Sequence, residues 1–145
     1  MKHRRNYQII LAAMLWAAVA QAGVEGWGFG AGVFDDDFGI QGRKEFMLTE
    51  TGASELGLQG SVFFQSKTTF RFDADYHHIL NPESTFRIYP LAGANFAIRR
   101  HYNRWGANLG GGMKIRLSEH NEAFIELKYI FGDWNGIGIM AGIHF

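Results

Sequence analysis

Cysteine is absent from the chain, which rules out a disulfide-stapled mini-domain and a lipid anchor attached through a cysteine. Proline occurs only at Pro82 and Pro90, and no apolar run reaches the roughly 18 residues that a membrane-crossing helix needs. Basic and acidic residues are equal, at 14 each, so no cationic excess points to nucleic acid. The glycines never complete a G-x-G-x-x-G ahead of a helical pattern, so phosphate binding at a glycine-rich loop is not indicated. What the chain does have is 19 glycines and 13 phenylalanines. That composition, with few prolines, favours strands over helices.

The N-terminus places Lys2, Arg4 and Arg5 ahead of an apolar run from Ile9 to about Ala20, closed by Ala20-Gln21-Ala22. This is the pattern of a secretory signal peptide over residues 1–22, and it is too short and too small-ended for a membrane anchor. Cleavage after Ala22 would leave one domain over residues 23–145. Removing the three leading cations leaves 11 basic against 14 acidic residues, a net charge of −3.

Eight segments then alternate apolar with glycine or polar residues at period two, the signature of strands with chemically distinct faces. In 24–34, Trp27, Phe29, Ala31 and Val33 oppose Gly26, Gly28, Gly30 and Gly32. Segment 38–49 sets Phe38, Ile40 and Phe46 against Gln41, Arg43 and Glu45, with Lys44 on the apolar face, where a bulge or register shift is expected. A third segment opposes Leu56, Leu58 and Val62 to Gln59 and Ser61, and a fourth opposes Phe70, Phe72 and Tyr76 to Arg71, Asp73, Asp75 and His77. In the fifth, Arg87, Tyr89 and Asn95 share a face, and Pro90 requires a bulge or a local break in pairing. The sixth and seventh carry Asn108, Lys114, Arg116, Glu126 and Lys128 on their polar faces. The last, 135–145, has Ile137, Ile139, Ala141, Ile143 and Phe145 opposite Gly136, Gly138, Met140, Gly142 and His144.

Amphipathic strands fit either a soluble barrel or sandwich, or a membrane barrel with the apolar face in lipid. Segment length, aromatics near strand ends and the export signal favour the membrane arrangement. The expected fold is therefore all-β: an eight-stranded antiparallel up-and-down transmembrane β-barrel after an N-terminal signal peptide. Sheet edges are not tolerated in lipid, so the last strand must pair with the first. Closure brings Gly26, Gly28, Gly30 and Gly32 beside Gly136, Gly138 and Gly142, a glycine seam against which arginines of other strands could extend. The interior of an eight-stranded barrel is just wide enough for side chains to fill. Arg43, Glu45, Arg71, Asp73, Asp75, Arg87, Lys114, Arg116, Glu126 and Lys128 are expected to form an ion-pair network there. Such a lumen is plugged; the alternative is a narrow water path along the seam.

Residues 84–145 resemble the C-terminal half of small outer-membrane barrels of the OmpA and opacity-protein type. The resemblance rests on RIYPLAGANFAI, on WGANLGGGMKIRLSEHNEAFIELKYIF and on the terminal GIGIMAGIHF. It implies an outer-membrane location, periplasmic termini and insertion by the outer-membrane assembly machinery through the C-terminal strand. On that orientation the turns at 35–37, 66–67, 99–104 and 132–135 face outward.

No cofactor, metal or catalytic site is read from the sequence. Asp73, Asp75 and His77 share a face, and Arg71 beside them makes an ion-pair cluster the simpler reading. His77-His78 has no matching ligand set elsewhere for zinc. Ser118-Glu119-His120 are turn neighbours, which do not meet with triad geometry. The His-x-Ser pair of lipid A-modifying barrels is missing, which makes an enzyme the weakest alternative. Arg99, Arg100 and Arg104 are candidates for contact with lipopolysaccharide phosphates, and Asp35 to Asp37 for divalent cations shared with it. The function read from the sequence is a monomeric structural or interaction protein of the envelope, with a narrow pore as the competing reading.

Overall fold

The computed structural model describes residues 26–64 and 68–145. The signal peptide and the Ser66-Lys67 turn lie outside the described residues. Eight strands follow one another: β1 (Trp27–Phe34), β2 (Asp37–Met47), β3 (Ser54–Phe64), β4 (Thr69–His78), β5 (Phe86–Arg99), β6 (Tyr102–Arg116), β7 (Glu122–Gly132) and β8 (Gly136–His144). Each pairs antiparallel with the next, and β8 pairs with β1 from Gly28↔His144 to Phe34↔Gly138, so the barrel is closed. Both chain ends of the sheet, Gly26 and Phe145, meet at one mouth, where the Gly26 N–H donates to the Phe145 carbonyl at 2.9 Å. That mouth is called the near mouth below and the opposite one the far mouth.

The faces divide as period two dictates. Outward residues such as Phe72, Leu109, Ile137 and Ile139 are 44 to 55% exposed, an apolar band that water would penalise and lipid accepts. Aromatic pairs edge the band: Phe96 packs on Trp105 with centroids 4.4 Å apart, and Phe29 on Phe145 at 6.3 Å. The inward positions carry the charges of the strands, Lys44 excepted.

Two local expectations change. The β2 register runs without interruption from Phe38↔Phe64 to Met47↔Glu55, so there is no bulge at Lys44. Lys44 instead faces outward beside the near mouth, its Nζ 5.5 Å from the Trp27 ring and 6.0 Å from that of Phe46. A lysine stem can lie along an apolar surface while its ammonium reaches the rim, so the charge is compatible with this face. Pro90 disturbs one neighbour only. Its pairing with Gly111 is in register, whereas the β4–β5 ladder ends at His77↔Leu91, one residue short of it. The missing N–H thus falls where the ladder has stopped.

At the far mouth a tight turn joins β1 to β2. Asp35 takes φ 51° in the β1–β2 hairpin, a conformation that short hairpin turns require and that Asp tolerates better than most residues. Its Oδ1 accepts the Ile137 N–H at 3.0 Å, which ties the hairpin tip to β8.

Candidate functional site in the barrel interior

Inward positions of β2, β4 and β7 meet across the lumen because each strand contributes one side chain per two residues to a narrow interior. At the centre, Lys128 Nζ lies 2.5 Å from Asp75 Oδ2, 3.2 Å from Glu126 Oε1 and 3.7 Å from Asp73 Oδ1. Asp73 also accepts Arg71 Nε at 2.9 Å. Asn108 Nδ2 donates to both Asp73 and Asp75, at 2.9 and 2.6 Å, and Gln59 Nε2 donates to Asp75 at 3.1 Å. Arg43 reaches Glu126 at 2.8 Å and Glu45 at 3.3 Å, while the Tyr89 hydroxyl donates to Glu126 at 2.9 Å. Sequence parity had gathered these charges, and the structure brings them into contact.

Toward the near mouth the network includes partners that the sequence reading left out. Lys114 Nζ bridges Glu45, at 2.5 Å, and Glu55. His144 Nδ1 is 3.0 Å from Glu45 Oε2. Arg87 pairs with Glu122, and Arg116 lies 4.0 Å from the same carboxylate. Here one expectation is corrected. The Arg116 side chain is 44% exposed, because β6 has reached the mouth by that residue, and it stands at the rim and not inside the lumen. Glu55 and Glu122 share the inward parity and lie at the turn-side ends of β3 and β7.

His77 is fully buried, stacked on Tyr89 at 4.7 Å, while His78 faces outward beside Tyr76. Donor atoms of Glu45, Glu55 and His77 lie within 4.8 Å of one another, close enough for a metal ion. The Lys114 ammonium sits between the two carboxylates and supplies positive charge at that point. Ser118 Oγ accepts the Asn121 N–H at 3.1 Å, so in Ser118-Glu119-His120 the hydroxyl serves the turn.

The glycine seam is covered differently from expectation. Phe34 lies over Gly136 and Gly138, Met140 over Gly32, Phe124 over Gly30 and Gly142, and His144 over Gly28. Among the arginines of the described residues, Arg43 stands against it, with Cγ 3.1 Å from where a Gly28 Cβ would stand. Gly26 is not part of the seam: it precedes β1 in a turn with φ +78°. Phe34, Phe63, Phe124, Ile130 and Met140 form a buried apolar cluster. The Arg71 guanidinium lies over Phe34 and Phe63, 5.1 and 4.7 Å from their centroids. Between this cluster, Arg71, Glu126 and Lys128 lies a void of about 10 Å³.

At the far mouth, Arg99 holds the last inward position of β5 and Arg104 shares that parity two residues into β6, and both line a cavity of about 180 Å³. Arg100 sits in the turn between them and is exposed. The three arginines therefore do not form one outward patch.

No protein-family model matches the sequence, and no curated protein matches it. Solved structures do. The N-terminal β-barrel domain of Pseudomonas aeruginosa OprF superposes with a TM-score of 0.67 at 17% identity, over 82% of this chain and 96% of that one. Neisserial surface protein A gives 0.66 at 10% identity, over 81% and 92%. The Yersinia pestis outer membrane protein Ail in a nanodisc gives 0.55 at 8% identity, over 83% and 99%. Identities this low speak for architecture alone, and strand number, closure and pairing order agree with it. The chain has the fold of the small eight-stranded outer-membrane β-barrels.

Proposed function

We propose that the chain stands in the outer membrane as a closed-lumen barrel with a structural or interaction role at the cell envelope and no catalytic turnover. The observation that carries this reading is the filling of the interior: Arg43, Tyr89, His77, Lys114, Ile130 and Glu126 all have less than 2% of their surface exposed. A pore along the seam would need Phe34, Met140, Phe124 and His144 to leave the glycines, and the ions of the lumen to exchange partners. Planar-bilayer recordings of the purified, refolded barrel are expected to show no stable single-channel steps. Reproducible steps would overturn the closed-lumen reading in favour of a channel.

The barrel acts as a monomer in lipid, and its last strand serves as the segment read by the assembly machinery. What supports the role of the last strand is that the Phe145 N–H donates to the Trp27 carbonyl at 2.8 Å, so Phe145 completes the closing pair of strands. Deleting Phe145 is expected to lower the heat-modifiable, folded fraction in outer-membrane preparations; an unchanged fraction would refute the role. Contact with lipopolysaccharide phosphates falls to Arg100, since Arg99 and Arg104 turn inward.

A further inference from the structure

The far-mouth cavity is unused by a closed-lumen barrel, and its lining is unusual for a solvated rim. Phe34, Phe63 and Trp134 make an apolar wall, while Arg99, Arg104 and Asp37 supply both signs of charge. The wall is held in place: Trp134 packs on Phe34 with centroids 4.8 Å apart, and its indole N–H donates to Asn95 Oδ1 at 3.4 Å. Arg71 stacks on the same phenylalanines and is itself paired with Asp73.

The charged groups are not matched to one another. Arg99 Nε and Asp37 Oδ1 are shielded from water and have no hydrogen-bond partner among the described residues. Asp35, the other acid of the lining, already accepts the Ile137 N–H through Oδ1. Both side chains are half-buried and line the cavity, so a ligand there meets a cation and an acid that no ion pair joins. Two guanidinium groups call for a carboxylate, a lone acid for an ammonium, and the aromatic wall for an apolar body. An apolar cavity of about 150 Å³ takes one benzene ring. A cavity of about 180 Å³ therefore has room for one branched side chain with its charged head at the rim.

We propose that the far mouth binds a single zwitterionic α-amino acid with a branched apolar side chain, its carboxylate on Arg99 and Arg104, its ammonium on Asp37 and its side chain on Phe34, Phe63 and Trp134. The proposal is independent of conductance, because the cavity lies outside the packed lumen.

The test titrates the folded barrel in detergent micelles with L-leucine while following tryptophan emission, with Trp134→Phe giving the background from the other tryptophans. A saturable change that is lost in Trp134→Phe is expected. Leucinamide, which lacks the carboxylate, and 4-methylpentanoate, which lacks the ammonium, are each expected to bind about tenfold more weakly or worse, the loss of one charge-assisted contact. Glycine, without the apolar body, should give no change. Asp37→Asn, nearly isosteric, is expected to erase the preference for leucine over 4-methylpentanoate. Equal binding of those two by the parent barrel, or no saturable response to leucine, overturns the proposal. The analogue series needs no variant, so it decides even if Asp37→Asn fails to fold.

Discussion

Glu126→Leu is expected to lower the unfolding free energy of the barrel by about 3–5 kcal/mol, the range for removing one partner of a buried ion pair. Glu126 is 1% exposed and receives Arg43 at 2.8 Å and the Tyr89 hydroxyl at 2.9 Å, with Lys128 at 3.2 Å. Lys128 keeps Asp75, but Arg43 is left with only Glu45 at 3.3 Å, and its guanidinium stays enclosed against the Phe124 ring. The penalty comes from the stranded charge more than from the lost attraction. Arg43→Met in the same chain should therefore recover much of the loss, because a buried pair replaced by apolar groups of similar volume is close to neutral. Urea unfolding of the refolded barrel, followed by tryptophan fluorescence, measures the cycle. A single-variant effect below about 1 kcal/mol, the scale of exposed pairs, would show that the pair is hydrated. Arg116→Gln provides the contrast. Its side chain is 44% exposed beside Glu122, and an effect within about 1 kcal/mol is expected there.

Parity was enough to find the charges of Arg43, Arg71, Asp73, Asp75, Lys114, Glu126 and Lys128, because a strand gives every second residue to the same face. It did not say which charges would touch, since that depends on how far neighbouring strands are staggered around the barrel. Lys114 proved to bridge Glu45 and Glu55, which stand on β2 and β3 across the lumen. Glu55 and Glu122 stand beside turns, at the starts of β3 and β7, where a charge reads in the sequence as solvated. Length explains Arg99 and Arg104. With β5 at 14 and β6 at 15 residues, the stretch that resembles a polar loop in the sequence is still strand, and both side chains take the inward parity. Lys44 shows the opposite error. A lone cation on a lipid-facing parity suggested a broken register, but its cost depends on depth, and at the rim the register remains regular.

Stagger also decides what lies on the glycine seam, where an added methyl group can run into the backbone of the neighbouring strand. Gly142→Val is expected to prevent closure of the barrel. A Cβ at Gly142 would stand 2.0 Å from the Phe29 carbonyl oxygen and 2.6 Å from Gly30 Cα, both backbone atoms of β1. Neither can retreat while the Gly30↔Gly142 pairing is kept, so the conflict falls on the one ladder that turns the sheet into a barrel. At Gly30 the nearest atom is again backbone, the Ala141 carbonyl oxygen at 2.9 Å, and at Gly138 it is the Phe34 ring at 3.0 Å, which can shift. The heat-modifiable folded fraction should accordingly fall in the order Gly138→Val, Gly30→Val, Gly142→Val. Gly52 is an unsuitable neutral control despite its open surroundings, because its φ of +68° would cost a side chain about 1–2 kcal/mol. Gly42 serves better: it faces outward, and its Cβ position meets nothing nearer than the Phe29 ring at 3.9 Å. If Gly142→Val and Gly42→Val gave equal folded fractions, the close approach of β1 to β8 would not be what requires glycine at the seam.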